Sequence, residues 1–558
     1  MSRAEIAMKR QVGAAPGARW LWAGVLSAAL GATALIGGIG DAAASSRPDG
    51  SDGDAATVAA GPPRPAVRGA RATSARPASS VNRVDRALAG QSAGPAALHP
   101  SAALRRALSI PPAMATTGTN SLPTGLTGVA APGPIRSAIL AVQAVTYGYP
   151  LLEFERFRSE APGLNVIWSE TGFAEPDVVP IWRPNTDTLY SRAVLDLSGG
   201  PVVLSVPDMG DRYFSFQLND PYTNAISYLG TRATGSGPGS YAITWDGGPQ
   251  VTVEGAQSVT VPYRNIVLLG RTLAGDAADQ QQAIALMDQY SLTPSGPTGS
   301  PPPQTPMPSG LAMLDAISAA MELNPPPGSD AAIVQAIAQI GVGPGLTVAD
   351  AGLGPLAKIA VDLAARAGFA AAPVRTASNQ YLAALGNHGW AAPPSAIGNY
   401  GTDYKLRAGV FFVGPWANVR DEAIYLGGML DQTLLPLNGS NSYQIYFAPG
   451  QEPPADAFWS VTVYDPDGSL VANPINRYSV SSSRPDELVR RPDGSVVIIL
   501  SRDKPGDITV NWLPVPGGSF SAYMRLYLPR EPALDGRWQP PPITRLQSTA
   551  ATSGSLTS

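Results

Sequence analysis

The chain has 558 residues, two histidines, no cysteine and a formal net charge of −4. Without cysteine it can form no disulfide, zinc–thiolate site or cysteine nucleophile, and its small net charge offers no electrostatic field for nucleic acid. One histidine, His99, lies in a Pro/Ala-rich stretch, so His388 is the single histidine of the predicted folded region. We therefore expect no metal site, no organic cofactor and no nucleic-acid partner.

The N-terminal residues 1–44 have the order of a secretory signal. Three basic residues, Lys9, Arg10 and Arg19, precede an uncharged run over 21–40, and small residues lead to Ala44. Since the run is nearly long enough to span a bilayer, the segment is either a cleaved signal peptide or a retained signal-anchor. Both interpretations predict an exported protein, which is periplasmic, extracellular or envelope-anchored.

Residues 45–130 are rich in Ala, Pro, Ser, Gly and Arg and hold no sustained apolar period. Such a segment cannot bury enough apolar surface to offset its chain entropy, so it is predicted to be a disordered linker. Residues 1–130 carry 13 basic and 6 acidic side chains. The linker is either a basic tether for an anionic envelope or membrane surface, or a solvated spacer. The polar residues 547–558 are predicted to be a disordered tail.

Residues 131–271 begin with one apolar helix that is predicted to end near residue 150, and strand patterns follow. In residues 213–218 the side chains of Phe214, Phe216 and Leu218 are expected to point inward, and those of Ser215 and Gln217 outward. Gly-rich turns separate this strand from its neighbours. The region is predicted to be a first antiparallel β domain.

Helical spacing replaces the strand pattern in residues 272–412, where separate helices are expected at 355–367 and 378–385 and a Pro-rich loop at 294–308. Strand patterns return in residues 413–546, which are predicted to form a second β domain. The expected fold is mainly β with an α insert: two antiparallel β-sandwich (jelly-roll-like) domains separated by an α-helical region.

Two predicted strands echo each other. Residues 214–221 and residues 459–466 share three apolar positions, a serine and a terminal Asp-Pro, position by position. The echo indicates either duplication of one sandwich unit or chance convergence on a strand that stops at Asp-Pro.

Several motifs resemble the paired domains of unknown function 1254 and 1214. The motifs of the first are Tyr147-Gly-Tyr-Pro150, Arg183-Pro-Asn-Thr-Asp-Thr-Leu-Tyr-Ser191, Arg212-Tyr-Phe-Ser-Phe-Gln-Leu-Asn-Asp-Pro-Tyr-Thr-Asn224 and Thr231-Arg-Ala-Thr-Gly235. The motifs of the second are Asp403-Tyr-Lys-Leu-Arg-Ala408, Ala457-Phe-Trp-Ser460, Asn473-Pro-Ile-Asn-Arg-Tyr-Ser479, Asn511-Trp-Leu-Pro514 and Arg525-Leu-Tyr527. The resemblance implies sandwich-like domains around a helical insert, often in exported bacterial proteins, and it implies no settled activity.

Three carboxylates are the candidate catalytic residues, namely Asp187, Asp220 and Asp403. Any two of them, if brought together, would suit acid–base cleavage of a glycosidic or similar bond. Each also has a structural interpretation. Asp187 would belong to a turn made with Asn185, Asp220 would be a turn carboxylate before Pro221, and Asp403 would be a helix N-cap.

The candidate substrate-binding residues combine guanidinium, phenol, amide and indole groups. Arg183 either holds an anionic group or pairs with Asp187, and Trp459 either stacks on a sugar ring or belongs to a sandwich core. The full set is Arg183, Tyr190, Arg212, Tyr222, Asn224, Arg407 and Trp459.

These residues support an exported hydrolase or lyase that acts on a polar or carbohydrate-like substrate through carboxylate, Arg and Tyr chemistry. The alternative is a non-catalytic envelope protein that binds a glycan or a lipid headgroup, and a third hypothesis is a scaffold tethered by the linker. Because sandwich folds host both enzymes and binding proteins, the fold does not decide between them.

Overall fold

The computed structural model describes residues 131–176, 183–249 and 251–547. The predicted signal segment 1–44, the predicted linker 45–130 and residues 548–558 of the predicted tail lie outside the described residues.

Most of the described helices precede or separate two groups of strands, and three lie between strands of one group. Within the described residues the α-helices are α1 (Pro134–Glu160), α2 (Ala277–Met287), α3 (Leu311–Leu323), α4 (Ala331–Ala338), α5 (Pro355–Leu385), α6 (Tyr404–Val413) and α7 (Glu531–Leu534). Short 3₁₀ turns occupy Gly328–Asp330 and Val348–Ala351. In the part of the chain that the structure describes, none of these helices has the length and apolar character needed to cross a membrane.

The strands form four sheets. Their bounds are β1 (Trp168–Ser169), β2 (Thr188–Asp196), β3 (Val202–Val206), β4 (Phe214–Asn219), β5 (Ala225–Gly230), β6 (Gly239–Trp245), β7 (Gln257–Val261), β8 (Asn265–Leu273), β9 (Ser291–Pro294), β10 (Trp390–Ala391), β11 (Ala423–Gly428), β12 (Tyr443–Phe447), β13 (Ala455–Tyr464), β14 (Ser479–Ser481), β15 (Val496–Ser501), β16 (Asn511–Pro514), β17 (Ser521–Pro529) and β18 (Thr544–Arg545). We call β1–β9 the first β region and β10–β18 the second β region.

The two β regions have the same topology. In the first, a five-stranded sheet has the order β1-β2-β8-β4-β5 and a four-stranded sheet the order β7-β6-β3-β9. In the second, the orders are β10-β11-β17-β13-β14 and β16-β15-β12-β18. Each strand of the first β region therefore corresponds to the strand of the second β region whose number is nine higher. The predicted mainly β architecture with helices between two β regions is confirmed. The four-stranded sheets are mixed rather than antiparallel, because β6 pairs with β7 and β15 with β16 in parallel.

This repeat bears on the echo in the sequence. Residues 214–221 begin with β4 and residues 459–466 contain most of β13, and these two strands hold the same place in their sheets. A shared place in two identical topologies favours duplication of one sandwich unit over chance convergence.

Each β region has its own apolar core. In the first it includes Leu204, Phe216 and Leu268, and in the second Ile445 and Trp459, all at most 3% exposed. A third core joins α1 to the helices of the insert. Alternating apolar residues therefore favour these strands, because each β region buries the apolar faces of its two sheets against each other.

Three local predictions are wrong. Ser215 and Gln217 are 2% and 0% exposed rather than outward, because the face of β4 that carries them is covered by other parts of the chain. Helix α1 continues past residue 150 to Glu160, since its buried face continues as far as Phe154. The helices expected at 355–367 and 378–385 are one continuous helix, α5, which packs against α1.

Candidate functional site

Side chains of the two five-stranded sheets meet in a polar layer, which we call the inter-sheet layer. Across it, Asn185 Nδ2 donates to the Tyr527 hydroxyl at 2.6 Å, and the rings of Tyr213 and Tyr527 pack with their centroids 5.3 Å apart. Its members are Tyr190, Ser215, Gln217 and Arg271 from the first β region, Tyr425, Ser460, Thr462, Arg525 and Tyr527 from the second, and the carboxylates of Asp187 and Glu422.

The strand register shows that the layer consists of two equivalent halves, one from each β region. In the first, Arg271 of β8 lies opposite Tyr190 of β2 on one side and Ser215 of β4 on the other. In the second, Arg525 of β17 lies opposite Tyr425 of β11 and Ser460 of β13. Each half therefore presents one Tyr–Arg–Ser row.

The two guanidinium groups are held in equivalent ways. Arg271 Nη1 donates to Gln217 Oε1 at 2.7 Å, and Arg525 Nη1 donates to Thr462 Oγ1 at 3.0 Å. Both acceptors lie two residues after the serine of their strand. Each guanidinium also lies near the ring of the tyrosine opposite it, at 5.6 Å for Arg271 and 5.9 Å for Arg525. These contacts fix both cations in the layer.

Asp187 and Glu422 are equivalent in the repeat, since each lies three residues before the tyrosine of its row. The backbone confirms this equivalence: the Asp187 carbonyl accepts from the Ala274 amide at 2.9 Å, and the Glu422 carbonyl accepts from the Leu528 amide at 3.0 Å. Their side chains cross to the opposite region. Ser460 Oγ donates to Asp187 Oδ2 at 2.5 Å, and the Tyr213 hydroxyl donates to Glu422 Oε1 at 2.7 Å.

The Asp187 and Glu422 carboxylates nevertheless differ in whether both of their oxygens have a hydrogen-bond partner. Glu422 is fully engaged, because Arg232 Nε donates to its second oxygen at 2.6 Å. Asp187 is 0% exposed, and its Oδ1 has no hydrogen-bond partner within the described chain. The predicted turn is also present, since the Asp187 amide donates to Asn185 Oδ1 at 2.7 Å, but it uses the backbone of Asp187 and leaves its carboxylate in the layer.

Together with Arg232, which pairs with Glu422 from outside the layer, Arg271 and Arg525 make three guanidinium groups against the two carboxylates of the layer. Arg271 and Arg525 are 4% and 5% exposed, and within the described residues neither guanidinium has a carboxylate at ion-pair distance. Burial raises the pKa of Tyr425, and it raises the pKa of Tyr527 well above its ordinary value, so these phenols stay neutral. Because buried charges are costly unless they are paired, the layer is suited to an anionic group.

Arg183 was predicted to bind an anion or to pair with Asp187. Its guanidinium carbon lies 4.2 Å from the centroid of the Tyr523 ring, and Nη1 donates to Gln380 Oε1 at 3.4 Å. Its carbonyl accepts from Arg525 Nη2 at 3.3 Å. Burial lowers the pKa of Arg183 to about 9. Arg183 thus lies beside the layer, next to one of its cations.

A second polar cluster, the tyrosine cage, surrounds Arg407 of α6. The guanidinium carbon of Arg407 lies 4.8 Å from the ring centroid of Tyr147, 5.3 Å from that of Tyr222 and 5.1 Å from that of Tyr404. Arg407 Nη1 is 3.7 Å from Asp330 Oδ2, and Nη2 donates to the Tyr147 carbonyl at 3.0 Å. The cage joins α1, α6 and the β4–β5 turn, and its cation already has a carboxylate.

Asp220 and Asn224 lie in that turn. Asp220 Oδ1 accepts from the Asn224 amide at 2.8 Å, and Oδ2 accepts from Asn224 Nδ2 at 2.9 Å. Burial raises the pKa of Asp220 to about 6, although these hydrogen bonds and the charge of Arg407 act in the opposite direction. Both oxygens are occupied, as the turn interpretation of this carboxylate predicts.

The other predicted residues lie elsewhere. Arg212 forms an ion pair with Asp279 at 2.6 Å beside a surface cleft of about 330 Å³. Asp403 is exposed and caps α6, with Oδ1 accepting from the Leu406 amide at 2.9 Å. Trp459 belongs to the core of the second β region, so its ring is not a surface for stacking sugars.

The three predicted carboxylates have different hydrogen-bond partners, because Asp187 accepts from Ser460, Asp220 from Asn224, and Asp403 from the Leu406 amide. Among the described residues, no hydrogen bond joins any two of Asp187, Asp220 and Asp403, and each has its own surroundings. Over the same residues, no group of three or more His, Asp or Glu side chains is arranged to hold a metal ion.

Of the members of the layer, sequence reasoning had selected only Asp187 and Tyr190. Glu422, Tyr425, Arg271, Arg525 and Ser460 were not among the candidate residues. One signal was available, because Asp187-Thr-Leu-Tyr190 and Glu422-Ala-Ile-Tyr425 share an acid three residues before a tyrosine. Arg271 had no comparable signal, since it is brought to the layer by strand pairing alone.

Comparisons with known proteins agree with the motifs. Residues 164–294 match the family described as "Protein of unknown function (DUF1254)", and residues 422–531 match "Protein of unknown function (DUF1214)". No curated protein matches the chain.

Two solved structures are similar to this one. The crystal structure of the VPA0106 protein from Vibrio parahaemolyticus is 23% identical with a TM-score of 0.55, and the match covers 74% of this chain and all of that one. An uncharacterized protein from Burkholderia cenocepacia is 14% identical with a TM-score of 0.37, over 74% of this chain and 94% of that one. The first likeness shows a shared fold. The chain thus carries the paired regions DUF1254 and DUF1214, in that order, as its motifs predict.

Proposed function

We propose that the inter-sheet layer binds a small polar molecule with an anionic group, and that Asp187 transfers a proton on it, as in a hydrolase or a lyase. The observation that carries the proposal is Asp187 Oδ1, a carboxylate oxygen without a hydrogen-bond partner in a buried layer that contains two cations. Buried polar atoms are rarely left unpaired, and such exceptions are frequent at functional sites.

Binding of an anionic group is expected from the two buried arginines of the layer. Arg271 and Arg525 are buried, their hydrogen bonds go to neutral groups, and Arg271 Nε has no partner within the described chain. A carboxylate or a phosphate would supply the missing counter-charge through paired N–H···O bonds. Tyr190 is only half-buried, whereas the Tyr425 hydroxyl is already engaged, since it accepts from Asn418 Nδ2 at 2.8 Å and donates to the Tyr527 hydroxyl at 3.2 Å.

Chemistry follows from the position of Asp187. The hydrogen bond from Ser460 orients the carboxylate by one oxygen and leaves the other free to accept a proton. In hydrolysis the proton would come from water as it attacks the substrate. In elimination it would come from the carbon beside the leaving group, and the C–H electron pair would form the new double bond as that group departs. The Tyr527 hydroxyl, which accepts from Asn185 and from Tyr425, keeps its own proton for donation to an oxyanion.

The alternative is a non-catalytic envelope protein that binds a glycan or a lipid headgroup. A phosphate-bearing headgroup would meet the same two arginines. This alternative predicts binding without turnover, so the same experiment distinguishes it.

The test uses the full chain and a panel of carboxylates and phosphate esters. Molecules that raise the thermal unfolding temperature are then incubated with the protein and followed by NMR for conversion. Asp187→Asn should keep binding and lose about 10²–10⁴-fold in rate, the range of general acid–base catalysis.

The matched control is Glu422→Gln, which changes the equivalent carboxylate in the other half. We expect it to lower stability, because Arg232 and Tyr213 lose their charged partner, and to keep turnover in the folded fraction. Turnover by Asp187→Asn at the wild-type rate would refute the catalytic role, and binding without any conversion would favour the alternative.

Export is proposed from the pattern of residues 1–44 alone. Fractionation of the native host should find the folded chain in the periplasm, the medium or the envelope. Recovery of the full-length chain from the cytoplasm would contradict this proposal.

A further inference from the structure

We propose that a second copy of this chain docks on the exposed face of helix α5, so that two α5 helices pack antiparallel about a two-fold axis. The inference concerns the helical insert and does not depend on the inter-sheet layer. It goes beyond the proposed function by assigning an interaction surface and the partner that fits it.

Helix α5 carries apolar side chains on two opposite faces. One face is buried in the helical core, where Val361 and Ala365 are 0% exposed. On the opposite face Leu356, Ile359 and Leu363 are 72%, 57% and 61% exposed. We call this exposed face the α5 stripe, and its members are Leu356, Ile359, Leu363, Ala367, Ala370 and Leu385. At 3.6 residues per turn they all lie within an arc of roughly 80°.

The length of the stripe sets the size of the surface. At 1.5 Å per residue it is about 44 Å long, and a helix face about 10 Å wide gives about 440 Å² per copy. Soluble proteins rarely expose contiguous apolar surfaces of this size unless they bind a partner. Two such faces would bury about 900 Å² in total, which lies at the low end of specific interfaces and predicts a reversible dimer.

Helix α1 widens the apolar surface beside the stripe. It packs along α5, and a Cβ placed on Gly368 would lie 3.4 Å from Val142 Cγ2. Ile139, about one turn before Val142, is 41% exposed, and Ile135 is 81% exposed. Because Gly368 lies close to the middle of α5, these side chains enlarge the centre of the surface.

The order of side chains along the stripe favours a second copy as the partner. Large aliphatic residues occupy both ends and alanines occupy the middle. Leu356 and Leu385 are equidistant from a point next to Ala370, and so are Ile359 and Leu382, which is 60% exposed. A two-fold axis at that point would place alanines against alanines and large side chains against the large-residue end of the copy, because such an interface is self-complementary. Small residues at the crossing also allow two helices to approach closely.

The charges beside the stripe fit a second copy better than a lipid surface. Arg366 borders the stripe, and its Nε donates to Asp362 Oδ2 at 2.8 Å, so this cation is already paired. Lys358 and Arg375 lie roughly 120–140° around the helix from Leu363. A helix that lies on a bilayer surface has Lys and Arg along its polar face for the lipid headgroups. A second copy brings only the same neutral stripe, so the two stripes meet without burying a charge.

The first test is sedimentation velocity of the full chain over about 1–100 µM, the range suited to a weak interface. We expect a reversible monomer–dimer equilibrium. Leu363→Glu should weaken the dimer about 10- to 100-fold, because it removes a buried leucine and introduces a charge. Its thermal unfolding temperature should stay at the wild-type value, since Leu363 is largely exposed.

The matched control is Ile508→Glu, which changes an aliphatic side chain that is 87% exposed in the second β region. It should dimerise as the wild type does. A wild type that stays monomeric at 100 µM, or a Leu363→Glu variant that dimerises as tightly as wild type, would overturn the inference. A monomer that binds phosphatidylglycerol vesicles, and loses this binding in Leu363→Glu, would assign the stripe to a bilayer and also overturn the second copy.

The second test measures the direction of the two helices. Because the chain has no cysteine, an introduced cysteine can form a disulfide only with another copy. Ala370→Cys should cross-link to its own copy under mild oxidation, since two Cα atoms must approach within about 7 Å. Leu356→Cys should not cross-link to itself, because the two copies of this residue would lie about 44 Å apart, but it should cross-link to Leu385→Cys in a mixture. Self-cross-linking of Leu356→Cys without the mixed product would refute the antiparallel arrangement.

Discussion

Burial of the Asp220 carboxylate makes the stability of the protein depend on pH. Asp220 is 6% exposed, and burial raises its pKa from 3.8 to about 6. The folded state therefore holds this proton more tightly than the unfolded state does. The stabilising contribution is complete below about pH 3.8 and is lost as the pH rises through about 6.

The size of the effect follows from the shift. A shift of about 2 pKa units corresponds to about 3 kcal/mol, because each unit is worth about 1.4 kcal/mol. In Asp220→Asn the side chain no longer titrates. We therefore expect the free energy of unfolding of the variant, relative to wild type, to increase by up to about 3 kcal/mol between pH 4 and pH 7.

Urea denaturation of the full-length protein, followed by tryptophan fluorescence at several pH values, measures this difference. Asp279→Asn is the control with the opposite sign. The hydrogen bond from Arg212 lowers the pKa of Asp279, so the stability that this carboxylate contributes is present above about pH 4 and is lost as the pH falls. Parallel pH profiles for wild type and Asp220→Asn would refute the argument from burial.

Three further substitutions test the packing. Gly270→Ala would place a Cβ 2.6 Å from a ring carbon of Phe216, and we expect a loss of about 1–3 kcal/mol by thermal or urea unfolding; unchanged stability would contradict the close approach. Tyr147→Phe removes the 3.0 Å hydrogen bond to Asp330 and should cost about 1–3 kcal/mol in the same assay, whereas a neutral result would mean that Tyr404, Ser329 and Arg407 satisfy Asp330 without it. Asp403→Ala removes the N-cap of α6 and should lower the free energy of unfolding by about 0.5–2 kcal/mol without changing ligand affinity. A loss of affinity in the folded variant would indicate that Asp403 belongs to the binding site.

Much of the local structure is predictable because it depends on near neighbours. Asp403 as an N-cap and Asp220 as a turn carboxylate use backbone amides within four residues, and sequence patterns show such contacts. Gln217 was assigned to the surface because polar residues on a strand usually face solvent. Its strand is covered on both faces, and that covering depends on packing between distant segments.

The sequence by itself determined the family resemblance, the order of two β regions around helices, and the apolar periods that build the cores. The echo between residues 214–221 and 459–466 pointed to the repeat without deciding it. Only the tertiary structure decided which polar residues meet, because Asp187 and Ser460 are 273 positions apart and Arg271 is aligned with Ser215 by strand register. Hydrogen bonds along the chain are local, whereas a site formed between two sheets depends on how those sheets pack.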